Sequence, residues 1–464
     1  MKKSIIYILL LGILESILFF KYQYGINVLL FMIPFCIFLY YYLKENKLIK
    51  NKSGFLFLIP IFILSTMYMV YDNVFSFLNM IAIPALFVIM VLTIVNPKEQ
   101  VEDFIKGCFK FVFEPLGYID DYNKLVKASR KEILHLSEKQ KQIIKAIIVV
   151  IPIVIIILLL LSSADMMFHN LLSFIPDLGE NFTLSSMIGR LFRFLIFFFY
   201  VGASIVYWKE ALANDKSETK KIKVSEYTIV ILLTVLNIIY VVFDIIQIRS
   251  LWLHKVSTGI NYAEYARSGF FQLMFISLIN IVIILLSKKT KETNYIKGMS
   301  TGMILLTLII IVSSFFRMFL YEQAYGYTEL RLGVYCILIT EAILLIPTMI
   351  YIYHKKFPLL KYYIVIITCI YTIINCVSID QIIAKNNISR FDRTGKIDID
   401  YLMNENSDNI EQLIDLYNRT DDTEIKEDLE VYFKNMKIER KEDKLLEYNI
   451  SKARAKKLLK EKRD

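Results

Sequence analysis

The sequence predicts an all-α fold: a polytopic transmembrane helical bundle of about eleven spans with a small C-terminal helical appendage. Three observations carry this. The 464-residue chain is 56% hydrophobic with mean hydropathy +0.51, more apolar than ordinary soluble proteins. Its apolar residues fall in long blocks, whereas a soluble chain of this length would scatter them among two or more compact cores. Lys and Arg crowd alternate connections between the blocks.

A hydrocarbon core of roughly 30 Å needs about 20 residues at 1.5 Å each. Blocks of that length lie at 4–20, 25–43, 54–71, 74–95, 143–162, 187–208, 225–247, 269–287, 298–321, 332–353 and 359–379. The first follows Met1-Lys2-Lys3, like the basic start of a signal peptide. It runs on through Glu15-Ser16-Ile17-Leu18 with no small-residue cleavage site, which reads as a retained helix.

Counting Lys and Arg tests the orientation. One set of connections carries four at 44–53, nine at 96–142, five at 209–224, four at 288–297 and two at 354–358. The alternate set carries one at 21–24, none at 72–73, none at 163–186, three at 248–268 and one at 322–331. This bias places the N-terminus in the cytoplasm and residue 380 onward outside. The net charge of +10 is thereby explained by membrane orientation, with no nucleic-acid partner. Abundant Ile, Lys and Asn suggest a bacterial origin, so the expected location is the bacterial cytoplasmic membrane.

Four regions follow: four helices over 1–95, a cytoplasmic segment over 96–142, a seven-helix core over 143–379, and a polar extracytoplasmic helical tail over 380–464. Within 101–113, Val101, Phe104, Ile105, Cys108 and Val112 recur at helical spacing opposite Lys106 and Lys110, and Pro115 follows. That pattern suits a helix in the membrane interface, or equally a soluble helix packed on the bundle. In the tail, Ile410, Leu413, Ile414 and Tyr417 share a helical face, and Leu445, Leu446, Leu458 and Leu459 suggest another helix. The basic stretch Lys456, Lys457, Lys460, Lys462 and Arg463 reads as a solvated helix end. Tyr40-Tyr41-Tyr42, Tyr351, Tyr353, Tyr362 and Tyr363 sit at block ends, where amphipathic rings suit headgroups.

The most informative residues are charges inside the blocks. Glu15, Arg190, Arg193, Asp244 and Arg317 fall in the outer halves of their spans, and Glu341 near the middle of its own. Each costs about 2.5–3.5 kcal/mol at a helix centre on insertion scales. Three acids balance three arginines, so several are expected to point inward and pair, lining a polar cavity open to the outside. Arg190, Asp244 and Arg317 lie within about a turn of the outer surface and could instead snorkel.

Outer connections add a second group. Residues 261–271 include Tyr262, Glu264, Tyr265, Arg267 and Gly269, with Glu264 and Arg267 spaced to pair on a helix. A short loop holds Tyr325, Gly326, Tyr327, Thr328, Glu329 and Arg331, and the last span ends in Asn375, Ser378 and Asp380. The stretch Glu264-Tyr265-Ala266-Arg267-Ser268-Gly269-Phe270-Phe271 resembles the E-Y-x-x-x-G-F-F signature of a bacterial multi-pass family called domain of unknown function 4173. Tyr325-Gly326-Tyr327-Thr328 through Arg331 is similar to that family's Y-G-L-T-x-x-R element, with Tyr327 where leucine is usual. Residues 384–402, with Ala384-Lys385-Asn386-Asn387, Asp398, Asp400 and Tyr401, resemble its segment after the last span. The resemblance covers roughly the second half of the chain and implies no activity, substrate or cofactor.

Familiar chemistry is missing. His135, His169, His254 and His354 are scattered without metal-ligand spacing, and no P-loop, dinucleotide-binding glycine pattern or nucleophile elbow occurs. The five cysteines form no C-x-x-C, and four of them (Cys36, Cys336, Cys369 and Cys376) lie in apolar blocks. Asp120-Asp121, beside Asn123 and Lys124, reads as a solvated turn. No cofactor or metal is expected. The sequence favours a sensor or assembly protein with an outward-facing polar site, whose partners are the bilayer and an envelope protein or small solute. The alternatives are a transporter of a solute or ion, without the inverted repeats common in that class, and a membrane enzyme using Glu264, Glu329 or Asp380 as acid or base.

Overall fold

The computed structural model describes residues 2–20, 23–72, 75–97, 101–133, 184–214, 225–249, 270–291, 293–354, 356–404, 406–439 and 445–462. Among them are helices and no strand. The helices are α1 (Lys2–Phe19), α2 (Ile26–Glu45), α3 (Leu58–Val70), α4 (Phe75–Val95), α5 (Val101–Phe113), α6 (Ile119–Ile133) and α7 (Leu184–Glu210). The second half adds α8 (Glu226–Gln247), α9 (Phe270–Ser287), α10 (Asn294–Tyr325), α11 (Glu329–Tyr353) and α12 (Leu359–Asn375). The tail holds α13 (Ile379–Thr394), α14 (Ile399–Met403), α15 (Ile410–Arg419), α16 (Thr423–Glu439) and α17 (Ile450–Glu461).

Seven described helices are long and apolar enough to cross a membrane: α2, α3 with its leading 3-10 turn, α4, α7, α8, α10 and α11. Each matches a span expected from sequence. An eighth crossing arises if α12 and α13, bent by 62°, count as one broken span. Three further expectations stand apart. The apolar part of α9, Phe271–Ser287, has 17 residues, α1 contains three charges in Lys2, Lys3 and Glu15, and 143–162 lies outside the described residues. The predicted span over 359–379 ends earlier than its hydropathy suggested. Cys376 and Val377 form a turn, and the Ser378 hydroxyl accepts from the Gln381 amide (3.4 Å) to start α13.

Two membrane-type units form. The first packs α1–α4 and α7 around Ile8, Leu39, Leu64, Met90 and Ile205, with α5 and α6 laid against it. The second packs α8–α11 around Leu233, Ile284, Met303, Met318 and Leu338. Helix α12 packs on α11 and also on α3, joining the two. Outward faces stay apolar: Ile238, Ile239, Val242, Ile245 and Ile246 of α8 are all exposed. A protein in water could not tolerate that stripe, and lipid tails solvate it. Pro34, Pro84 and Pro347 inside α2, α4 and α11 fit membrane helices, where neighbours satisfy the freed carbonyls.

Helix α5 combines the two readings open to its sequence. Phe111 stacks on Trp208 at 5.4 Å, yet Ile105, Phe109, Phe113 and Leu116 form an exposed apolar stripe. Its neighbour α6 depends on Gly202 of α7, because a Cβ there would run into the Tyr122 ring. Gly202→Ala is therefore expected to expel Tyr122 and detach α6, at a cost of about 1–3 kcal/mol as for other overpacked sites. Raised protease sensitivity within 119–133 is the measurement, and unchanged cleavage would count against this packing.

The tail is a folded unit. Ile383, Ala384, Ile388, Leu402, Leu413, Leu429, Phe433 and Leu459 make its core, with Ile414 and Tyr417 at the edge as the helical spacing required. Its basic end is not simply solvated, since Lys462 Nζ lies 3.1 Å from the Tyr417 ring centre and 3.9 Å from that of Phe433.

Candidate functional site

Helix directions sort the connections to two ends. At one end the Lys-rich turn after α2 meets the ends of α4 and α7. Lys50 and Asn51 amides donate to the Ile94 carbonyl (2.9 and 3.1 Å), and Asn96 Nδ2 donates to Leu212 O (2.9 Å). At the opposite end the tail is seated on residues 23–25, 71–72, 326–328 and 376–378. Asn449 starts α17 by accepting from the Lys452 amide (3.0 Å), and its Nδ2 donates to the carbonyls of Tyr68 and Tyr71 at the end of α3 (3.0 and 2.9 Å). Lys452 Nζ reaches Asp72 (3.3 Å) and Gln23 Oε1 (3.1 Å).

Asp408 sits in this junction, buried. Its carboxylate accepts from the Asp72 amide (3.0 Å) and the Ser378 hydroxyl (3.0 Å), while Asp72 accepts from the Ser407 hydroxyl (2.8 Å). Burial pushes the Asp408 carboxyl above the usual carboxylate range, and the nearby Asp72 charge adds to this. Hydrogen bonds from Ser451, Asp72 and Ser378 oppose it. The folded chain then holds this proton more tightly than the unfolded chain. The contribution is full below the ordinary carboxylate pKa and is lost as pH rises from there through the raised value. Thermal unfolding is expected to show that decline in the wild type and a flatter profile in Asp408→Asn. A wild-type profile that rises over the same window would contradict it.

The loop between α10 and α11 is a second joint. Gly326 has φ +85°, and a Cβ there would lie 2.6 Å from Asn387 Oδ1. That oxygen accepts from the Tyr327 amide (2.8 Å), and Asn387 Nδ2 donates back to the Tyr327 carbonyl (2.9 Å). Thr328 caps α11 by accepting from the Arg331 amide (3.4 Å), and the Glu329 amide donates to the Tyr401 hydroxyl (3.0 Å). Arg331 turns back to donate to Gly326 O, with its guanidinium 4.3 Å from the Tyr321 ring centre. Tyr325 packs on Tyr321 at 5.1 Å. From α13, Arg390 donates to the α10 carbonyls of Ala324 (2.7 Å) and Gln323 (3.4 Å). The Tyr-Gly-Tyr-Thr motif thus builds a clamp between α10, α11 and the tail. Asn387 and Arg390, which complete it, were not among the site residues expected from sequence.

Asn375 and Asp380 lie beside it, both fully buried. Asn79 Nδ2 donates to Asn375 Oδ1 (2.8 Å), Tyr371 donates to Asn79 Oδ1 (2.8 Å), and Asn406 donates to Asp380 (3.2 Å). These hold helices together across α4, α12 and the tail, and a carboxylate sealed in this way is poorly placed as an acid or base. Tyr262, Glu264, Tyr265, Arg267 and Gly269 lie outside the described residues.

The six intramembrane charges are divided between the two units. In the first, Arg193 pairs with Glu15 and donates to Phe19 O (3.2 Å), while Arg190 lies 5.2 Å from the Phe20 ring centre. In the second, Arg317 is buried, and its Nε and Nη2 donate to Gln247 Oε1 (3.3 and 2.9 Å). Asp244 is 3% exposed with no hydrogen-bond partner on either oxygen, and Glu341 is 1% exposed with the Ser277 hydroxyl as its one partner among the described residues.

The second unit also has a polar interior of hydroxyl and amide side chains, none of them among the site residues expected from sequence. Tyr240 donates to Asn280 (2.8 Å), Asn280 donates to Thr307 (3.0 Å), and Ser287 meets Ser300 at 3.2 Å. The signal was present as spacing. Ser300, Thr307 and Ser314 recur every seven residues on α10, and Asn237, Tyr240, Asp244 and Gln247 follow a three-four rhythm on α8. In hydrocarbon such a face must turn inward. Among the described residues no group of three His, Cys, Asp or Glu side chains could hold a metal ion.

The model of a family described as a domain of unknown function (DUF4153) matches residues 58–416. It is a different family from the 4173 domain suggested by the Glu264 and Tyr325 motifs. Short motifs at helix ends are weak evidence between multi-pass families, because loop closure demands similar Gly, Tyr and Thr placements in each. No curated protein and no solved structure matches.

Proposed function

The chain belongs to the DUF4153 family, and from that premise we propose that it is a non-catalytic sensor or assembly protein of the bacterial cell membrane. The observation supporting this is the clamp. Asn387 and Arg390 of the tail grip Tyr327 and the end of α10, the helix whose other face lines the polar interior of the second unit. A partner or ligand that moves the tail must therefore move the end of α10, its loop and the start of α11 with it, or break five hydrogen bonds, counting those of Asn387 to Tyr327 (two), Arg390 to α10 (two) and Tyr401 to Glu329 of α11 (one). The Lys-rich turns lie at the end opposite the tail, so the N-terminus is read as cytoplasmic and the tail as extracytoplasmic. A reporter enzyme fused after residue 464 should be active outside the cell, and activity in the cytosol would overturn this arrangement.

A second reading is transport of a small solute or ion, favoured by Asp244 and Glu341. Buried carboxyls without a cation are the usual mark of ion or proton pathways in membranes. Thermal unfolding across a solute panel separates the readings, since a ligand bound by the folded state raises its stability. Transport expects at least one saturable rise, and the sensor or assembly reading expects none from small solutes.

A further inference from the structure

Glu341 lies on α11 against α9, and its contact with Ser277 has a proton-counting consequence. Ser277 Oγ is 2.7 Å from the Met274 carbonyl and in hydrogen-bond contact with Glu341 Oε2. A carbonyl can only accept, and a serine hydroxyl carries a single proton. With that proton on Met274 O, the bond between Ser277 and Glu341 must be donated from the glutamate side. A carboxylate has no proton to donate. A carboxylic acid has one, and its remaining carbonyl oxygen tolerates a dry site better than an ion would.

The surroundings agree. Glu341 Oε1 has no hydrogen-bond partner among the described residues. Other donors of the unit's polar interior are committed elsewhere, with Tyr240 to Asn280, Asn280 to Thr307 and Thr307 to Met303 O (2.6 Å). Among the described residues, no charged group faces Glu341 from the elements packed on α11. Helix α9 contains no titratable residue. On α10, Arg317 serves Gln247, Glu322 meets Tyr327, Tyr295 meets Thr234, Tyr321 and Tyr325 pack on each other, and Lys297 is one turn from the helix start. On α12, Tyr363 meets Thr348, Tyr371 meets Asn79, Tyr362 stacks on Phe357, Cys369 is exposed and Lys361 is in the first turn. The charged residues of α13 lie beyond the start of α11 in the tail.

We propose that Glu341 is a proton-binding site, protonated in the folded chain at neutral pH and donating its hydrogen bond to Ser277. The ligand is a proton, and the contact between α9 and α11 depends on it. This stands apart from the sensor or transport reading. Either could use a carboxyl that gains and loses a proton inside the bundle.

Infrared spectroscopy of the full chain in lipid nanodiscs at neutral pH tests it. The wild type should show a carboxylic-acid carbonyl band whose intensity falls in Glu341→Gln, with Asp244→Asn as the control for the other buried acid. Ser277→Ala, which removes the acceptor and keeps the fold's packing, should shift the Glu341 band to higher frequency. Loss of carboxylate intensity in E341Q in place of the acid band would show an ionised group and overturn the proposal. So would a Glu341 band that does not move in S277A.

Discussion

Glu15→Ala is expected to lower folded yield sharply and to destabilise the protein by up to about 3–5 kcal/mol, the range reached when one member of an ion pair shielded from water is removed; Glu15 is largely covered and Arg193 is half-exposed toward the apolar outer face. Arg193 is the reason. Its neighbours Leu191, Phe192 and Leu195 are exposed and apolar, so the surface around the guanidinium belongs to hydrocarbon. Without Glu15, the Phe19 carbonyl at 3.2 Å is the acceptor left to the cation among the described residues. Glu15→Gln should cost less, because the amide oxygen still accepts. The double variant Glu15→Ala with Arg193→Leu should recover much of the loss, since an apolar pair avoids the desolvation cost of both ions. Thermal unfolding in detergent and monodisperse yield on size exclusion are the readouts. If Glu15→Ala unfolds at the wild-type temperature, the pair is a surface contact, and the α1–α7 interface is held by packing alone.

The same pair shows what was legible from sequence. Hydropathy and charge bias located the helices because hydrocarbon leaves the backbone few choices: every N–H must be satisfied inside its own helix. Glu15 and Arg193 lie deep in their spans with opposite signs, which says that each needs a partner, but the sequence did not say that these two meet. Arg317 and Asp244 also carry opposite signs but lie near the outer surface, where snorkelling was open to them; both are buried, yet Arg317 bonds to Gln247 and the Asp244 carboxyl has no hydrogen-bond partner among the described residues. Charge balance says that partners are needed, but only helix rotation and register say which ones meet. Ser277, Asn280 and Thr307 were passed over because hydroxyl and amide side chains barely lower the hydropathy of an apolar window. Their importance appears once α8, α9 and α10 face one another. The tail was legible as helices but not as a clamp, since Asn387 acts on Tyr327, which is 60 residues away in sequence.

Gly326→Ala and Asn387→Ala are expected to release the tail from the helix ends while leaving both membrane units folded. The alanine at 326 must hold φ near +85°, which costs of order 1–3 kcal/mol for a residue with a side chain. Its Cβ also forces Asn387 aside, because the two would approach to 2.6 Å. In Asn387→Ala the backbone stays relaxed, but the Tyr327 amide and carbonyl lose the partners that now bind at 2.8 and 2.9 Å. Each unsatisfied group costs about 1–3 kcal/mol where water is excluded. Hydrogen exchange should accelerate across 379–394 in both variants and stay slow within α10 and α11. Because the substitutions break one joint, their effects should not add: the double variant should be little worse than Gly326→Ala. Full additivity would mean that Gly326 acts on the loop through backbone strain alone, independently of Asn387. Equal, slow exchange over 379–394 in all three variants would remove the clamp from any account of how the tail reports to α10.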